Sequence, residues 1–264
     1  MALEQKLADL LPFLRRYARA LCGSQTSGDA YVRELLEAAV IDSELRDKIV
    51  RSRLELYRCF TRIWSNGHVE IDPENGPDNR AELVAGERLK MVSPIHRQAL
   101  LLTTLEEFTP QDAAEILGVS AQEVDELVAQ AVAEIEGESV TRVLIIEDEP
   151  LIAMQLEAIV SEAGHAVVAT AATRDQALKA FQMHGPGLVL ADIQLADASS
   201  GIDAIEDILR LGDVPVVFIT AYPERMLTGQ RPEPTYLVTK PFRDETVRAA
   251  ISQALFFAGK NLGV

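Results

Sequence analysis

Four apolar runs in the second half of this 264-residue chain end on residues able to do chemistry. RVLIIED closes on Glu147 and Asp148, GLVLAD on Asp192, VPVVFIT on Thr220 and TYLVTK on Lys240. Carboxylates gathered at one place repel each other unless a hard cation sits among them, and Mg2+, which prefers oxygen ligands and keeps several waters, suits such a site. Asp192 is then placed as a nucleophile that can form an aspartyl phosphate. Mg2+ and Lys240 would neutralise charge on the transferring phosphoryl oxygens, and Thr220 would hydrogen-bond one of them. A lone Asp or Lys at a strand end is commonly just solvated. Five such residues in this chain order are much harder to explain that way.

For these residues to meet, the runs must lie side by side. Between them the period changes to that of helices: Pro150 to Ala163, Arg174 to His184, Gly201 to Leu211, a short helix before TYLVTK, and Asp244 to Ala258. With HAVVAT as a further strand, five apolar runs alternate with five helical segments. That pattern predicts an α/β domain over residues 141–264, a (βα)5 parallel sheet with helices on both faces and its chemistry at the carboxyl ends of the strands.

The first half reads as all-α. Leu7, Leu10, Leu11, Leu14, Ala18 and Leu21 recur at helical spacing, as do Val32, Leu35, Leu36, Ala39 and Val40, and then Leu56, Phe60, Ile63 and Trp64. The stretch SNGHVEIDPENGPDNR is rich in turn formers and reads as a linker over 65–80. A helix near Ala81 to Met91 follows, and Ser93-Pro94 opens another through HRQALLLTTL. Thr109 can cap and Pro110 open a helix that Gly118 ends, and Ser120 with Glu123 forms a capping box for the next. Two helices joined by a tight turn have the outline of a helix-turn-helix. The helical run weakens at GESVT, residues 137–141.

That helix-turn-helix is chemically odd, because residues 109–138 hold eight carboxylates and no Lys or Arg. The whole chain has a formal net charge of -16, which opposes association with a polyanion. Direct DNA binding is therefore not expected. No apolar run approaches the roughly 18 residues of a membrane span, and MALEQKLADLL carries acids where a signal peptide would not, so a cytoplasmic protein away from membranes is expected. Cys22 and Cys59 fall in no ligand spacing and read as reduced thiols.

Residues 141–264 resemble a response-regulator receiver domain, which makes the expected sheet flavodoxin-like. The resemblance implies an acidic pair at Glu147 and Asp148, a phosphoacceptor at Asp192, a switch Thr at Thr220, a KPF signature at Lys240, Pro241 and Phe242, and a metal shell completed by the backbone carbonyl of Gln194. The usual switch aromatic lies three residues before the lysine. Here that residue is Leu237, and Tyr222 and Tyr236 stand as candidate replacements.

LPFLRRYARALCGS and SPIHRQALLLTTLEEFTPQDAAEILGVSAQEVDELVAQAVAEI resemble regions 2 and 4 of an extracytoplasmic-function sigma factor. This gives a sigma-like domain over 1–137, region 2-like over 1–64, linker over 65–80 and region 4-like over 81–137. A sigma-like domain ahead of a receiver is the arrangement of the PhyR-type regulators of the general stress response. The resemblance implies a non-enzymatic anti-anti-sigma factor whose partners are an anti-sigma factor of the NepR type and a sensor histidine kinase. Its receiver would contact its own sigma-like domain. Two alternatives stay open. A DNA-binding response regulator would need Arg15, Arg16 and Arg19, or Arg51, Arg53 and Arg58, as its basic surface. A Mg2+-dependent phosphohydrolase would use Asp192, but position 194, where a DxD general acid would stand, is Gln.

Overall fold

The computed structural model describes residues 2–66, 95–136, 140–195, 201–223 and 234–261. Most of the expected 65–80 linker, the helix at 81–91, the Ser93-Pro94 opening, residues 137–139 and the short helix before β5 lie outside the described residues. The chain forms two compact units, Met1–Ala131 and Val132–Val264, and the division falls inside one helix.

The first unit is helical: α1 (Ala2–Cys22), α2 (Gln25–Ile41), α3 (Ser43–Ile49), α4 (Arg53–Asn66), α5 (Ile95–Thr104), α6 (Pro110–Leu117) and α7 (Ala121–Glu136). Its caps follow from local residue types. Asp42 ends α2 by donating its N–H to the Ala38 carbonyl, and its carboxylate starts α3 by accepting from the N–H groups of Glu44 and Leu45. Thr109 accepts from Asp112 N–H at 3.1 Å to open α6, and Gly118 closes it at φ 74°. The expected capping box is present, with Glu123 N–H donating to Ser120 Oγ at 3.2 Å and Ser120 N–H to Glu123 Oε2 at 2.9 Å. Leu14, Tyr17, Leu21, Leu35, Leu56, Tyr57 and Phe60 are buried in this unit.

One expectation on α2 fails. Val32, Leu35 and Ala39 are buried, but Val40 is 77% exposed and Ile41 89%. At about 100° per residue, position 39 returns to the face of Val32 while position 40 is turned some 80° away from it, so the side chain leaves the core stripe. A glycine sets the packing of this helix on α1. A Cβ on Gly28 would lie 2.6 to 2.8 Å from backbone atoms of Ala18 and Arg19, so the two helices cross almost backbone to backbone.

The second unit holds β1 (Arg142–Ile146), α8 (Pro150–Glu162), β2 (Ala166–Ala171), α9 (Arg174–His184), β3 (Leu188–Asp192), α10 (Gly201–Leu211), β4 (Val216–Thr220), β5 (Tyr236–Thr239) and α11 (Asp244–Asn261). The five strands are parallel in the order β2-β1-β3-β4-β5. Every residue of β3, and all of β1 after Arg142, is buried, as expected for central strands covered on both faces. One face packs Leu144, Ile146, Val189, Ala191, Phe218 and Leu237 into a single cluster with Ala204, Ile205 and Ile208 of α10. The strand order reverses between β1 and β3, and ligands of open α/β sheets bind in the crevice outside the carboxyl ends of the strands at such a point.

Candidate functional site

The residues singled out in the sequence converge on that crevice. Glu147 follows β1, Asp192 ends β3, Thr220 ends β4 and Lys240 follows β5. The register sets Ile146 beside Ala191, Asp192 beside Ile219 and Thr220 beside Thr239. Glu147, Asp148 and Asp192 can each offer a carboxylate oxygen within 4.8 Å of the others. Lys240 Nζ donates to Asp192 Oδ2 at 2.7 Å and to Glu147 Oε2 at 2.8 Å, while its backbone N–H donates to the Thr220 carbonyl at 2.7 Å. The other oxygen of Asp192, Oδ1, accepts from the N–H groups of Ile193 at 2.5 Å and Gln194 at 3.2 Å. Thr220 is buried and its Oγ1 accepts from Tyr222 N–H at 3.1 Å.

The electrostatics leave this cluster short of positive charge. Burial pushes the Glu147 carboxyl up, with Asp192 adding to the rise, and the Lys240 ammonium offsets only part of it. Lys240 itself is held above the usual lysine range: burial works against its charge, and its hydrogen bonds to Asp192 and Glu147 outweigh that. One ammonium, bonded to two of three clustered carboxylates that are all hard oxygen donors, thus sits at the carboxyl end of the sheet. Such a donor set fits Mg2+, with Glu147, Asp148 and Asp192 as the side chains that would hold it.

The structure separates the two aromatic candidates. Tyr222 is 43% exposed beside Thr220, whereas Tyr236 is buried inside β5. Leu237 belongs to the core cluster with Phe218, and successive strand residues face opposite sides of a sheet, so Tyr236 lies on the other face. Glu149 is a group that the sequence reading passed over. Its Oε1 comes within 3.7 Å of Lys240 Nζ, and the continuing acidic run EDE was the available signal.

The arginines that a DNA-binding surface would need are engaged elsewhere. Arg15 and Arg19 both grip Asp29, with Nη2 to Oδ2 distances of 3.0 and 2.7 Å. Burial of Asp29 opposes its charge, but these two guanidiniums hold its carboxyl below the usual range. Arg58 pairs with Glu55 at 2.9 Å. Arg16 donates from Nε and Nη2 to Glu106 Oε1 at 3.1 and 2.8 Å, and Arg53 Nη2 donates to Oε2 at 2.8 Å. The Tyr57 hydroxyl completes the set on Oε2 at 2.6 Å, and Arg53 stacks 4.3 Å from the centre of the Phe108 ring. Glu106 is fully enclosed, and this cluster ties α1 and α4 to the loop between α5 and α6.

A parallel sheet in flavodoxin-like order with an acidic pair, an aspartate and a lysine at its strand ends defines the class of response-regulator receivers. Residues 143–252 match the family model of the response regulator receiver domain, residues 7–61 that of the sigma2 domain of PhyR, and residues 89–138 that of the sigma-like domain of the response regulator PhyR. The chain is 50% identical over 260 residues to the phyllosphere-induced regulator PhyR of Methylorubrum extorquens, covering 97% of this chain and 96% of that one. The crystal structure of the response regulator PhyR from Brucella abortus is 46% identical and superposes with a TM-score of 0.83, covering 99% of this chain and 97% of the other. That of the anti-anti-sigma factor PhyR from Bartonella quintana is 45% identical, with a TM-score of 0.84 and 98% of each chain covered. The chain belongs to the PhyR family of response regulators.

Proposed function

We propose that this chain is a phosphorylation-dependent anti-anti-sigma factor: phosphorylated on Asp192, it sequesters an anti-sigma factor of the NepR type by imitating a sigma factor, and so releases an extracytoplasmic-function sigma factor for stress transcription. The observation that carries this reading is the base-free helix-turn-helix. Between Thr109 and Glu138 it presents eight carboxylates and no Lys or Arg, so it keeps the helical outline of a sigma region without the groups that hold a protein on phosphate. The ion-paired arginines of α1 and α4 point the same way. So does the similarity to a structure described as an anti-anti-sigma factor. In this reading the sigma-like domain occupies residues 1–137, with its region 2-like part over 1–64, a linker over 65–80 and its region 4-like part over 81–137, and the receiver occupies 141–264.

In the receiver, Asp192 attacks the phosphorus of a donor, either a sensor histidine kinase or a small acyl phosphate. The bond from phosphorus to the donor breaks as the bond to the carboxylate oxygen forms. The N–H groups of Ile193 and Gln194 hold Asp192 Oδ1 in one orientation. Lys240 is already within hydrogen-bond reach of Asp192 and meets the incoming negative charge, and Thr220 donates its hydroxyl to a phosphoryl oxygen. Glu147, Asp148, Asp192 and the Gln194 carbonyl would hold Mg2+, which would supply further charge neutralisation. Tyr222, exposed beside Thr220, is the aromatic better placed to report the change, with Tyr236 as the second candidate. In this reading the receiver assists only the phosphorylation and dephosphorylation of its own Asp192. No helix among the described residues is long and apolar enough to cross a membrane, and the reading places the protein in the cytoplasm.

Calorimetric titration of a NepR-type anti-sigma factor into the full chain, with and without beryllofluoride and Mg2+, tests the whole proposal. A coupling of about 3 kcal/mol would raise the apparent affinity roughly a hundredfold. Equal affinities in the two states, or no binding in either, would overturn it.

A further inference from the structure

We infer that Gly201 is a positioning residue for the phosphoacceptor: the first residue of α10 is pressed against the backbone of Asp192 so closely that only a hydrogen atom fits, and this contact sets the shape of the turn at residues 192–194. The inference deepens the reading of Asp192 given above and rests on it. A Cβ built on Gly201 would lie 1.8 Å from the carbonyl oxygen of Asp192, 2.9 Å from its carbonyl carbon and 3.3 Å from Cα of Ile193. All three are backbone atoms, so no side chain can rotate away to make room. The glycine is required for space and not for an unusual φ, unlike Gly118, Gly164 and Gly185 at φ 74°, 81° and 52°.

The turn is gripped from both sides. Gly201 N–H donates to the Ile193 carbonyl at 2.8 Å, which fixes the outer side of the turn to α10. On the inner side the N–H groups of Ile193 and Gln194 point at Asp192 Oδ1. Any side chain at position 201 must therefore push α10 away or tilt the peptides that orient the Asp192 carboxylate. Those same peptides place residue 194, whose carbonyl the proposed metal shell uses. A displacement on the order of 1 Å is enough to cost about a hundredfold in a step that depends on geometry.

The test compares the full chain with Gly201→Ala and with Gly212→Ala, whose Cβ would make only an ordinary 3.5 Å contact with the Phe181 ring. Labelling by acetyl phosphate at saturating Mg2+, followed by intact mass, should be about a hundredfold slower in Gly201→Ala and changed less than about twofold in Gly212→Ala. Calorimetric titration with Mg2+ alone should show binding weakened about tenfold or more in Gly201→Ala, a change that a loss of stability in a chain still folded at the working temperature would not produce. A Gly201→Ala protein that melts cooperatively, labels at the wild-type rate and binds Mg2+ as tightly overturns the inference. If that variant does not fold, the wild-type chain still decides: Mg2+ should shift the Gly201 amide resonance in step with those of Ile193 and Gln194, and a Gly201 amide that stays put through saturation overturns it. A wild-type chain that takes no phosphoryl group on Asp192 defeats the proposed function instead, and the Mg2+ measurements then judge Gly201 by themselves.

Discussion

Around Glu106 a single enclosed carboxylate receives two guanidiniums and a phenol, while at Asp192 three carboxylates cluster and the ammonium of Lys240 bonds two of them, Asp192 and Glu147. Both clusters assemble residues far apart in the chain; Glu106 is fully enclosed, whereas Glu147 and Asp192 are buried beside a half-buried Asp148. They differ in balance. Glu106 has donors on both oxygens and its charge is over-compensated, so it has nothing left to offer a ligand and serves to join helices. The Asp192 cluster carries an excess of negative charge that Lys240 alone does not neutralise, and among the described residues no ion pair to Asp148 is found. A buried acid with saturated hydrogen bonds marks architecture, whereas buried acids short of counter-charge mark a place where a cation and a phosphoryl group can arrive.

The sharpest way to break this comparison is Asp192→Asn. It should abolish labelling by acetyl phosphate altogether in an intact-mass assay, and a label surviving in that variant would remove the chemical meaning given to the cluster. The next largest effect lies on the other side. Glu106→Ala leaves buried Arg16 without its carboxylate and should destabilise the helical unit by about 3–5 kcal/mol in chemical denaturation, with the labelling rate at Asp192 unchanged. A labelling rate that falls with it would mean the two clusters are not independent. Third, Mg2+ at about a hundred times its dissociation constant should stabilise the second unit by about 2.7 kcal/mol, seen as a higher melting midpoint. Asp148→Asn should lose that gain and, in a chelator, melt no lower than wild type, because one of the mutually repelling charges has gone.

The smallest effect is a difference in pH response between the two units. Asp29 has a folded pKa lowered from 3.8, so the stability it contributes is present above 3.8 and is lost as pH falls through the folded value. His165 is buried and accepts from Thr141 N–H at Nδ1, and burial lowers its folded pKa from 6.5. The unfolded chain therefore takes up its proton first, and the second unit should start to lose stability as pH drops below 6.5. Melts followed by unit-specific probes should show the second unit weakening in mild acid and the helical unit only in strong acid. Asp29→Asn and His165→Gln should flatten the respective windows.

The Asp192 cluster could be read from the chain because each member sits where an apolar run stops, and parallel strands bring their ends together whatever the rest of the fold does. The limits of α6 and the start of α7 were legible too, since Thr109, Gly118 and Ser120 act within a few residues of themselves, whereas the break at Asp42 between α2 and α3 was not read. Neither was Glu106. In LEEFTP it looks like any surface acid, and its partners Arg16 and Tyr57 stand 90 and 49 residues away. Gly201 escaped notice for a related reason: its neighbour is a backbone oxygen, which no residue type announces. Val40 was misplaced because a spacing of eight residues overshoots a helix face that a spacing of seven regains. The aromatic question turns on parity. Tyr236 is one residue from the position expected of a switch aromatic, and in a strand one residue is the difference between the two faces of the sheet.

The close crossing of α1 and α2 at Gly28 also bears on the order in which the helical unit folds. Arg19 reaches Asp29 across only 10 residues, so this helical hairpin closes a short loop and receives its ion pairs at once. The bonds from Arg16 to Glu106 span 90 residues, about three doublings of that separation, and by loop-closure entropy they start at a disadvantage of roughly 2 kcal/mol. The hairpin is accordingly expected in the folding nucleus, with the Glu106 cluster locking afterwards around an already formed α1. Kinetically, Asp29→Ala is then expected mainly to slow folding and Glu106→Ala mainly to speed unfolding, which denaturant-jump kinetics would measure.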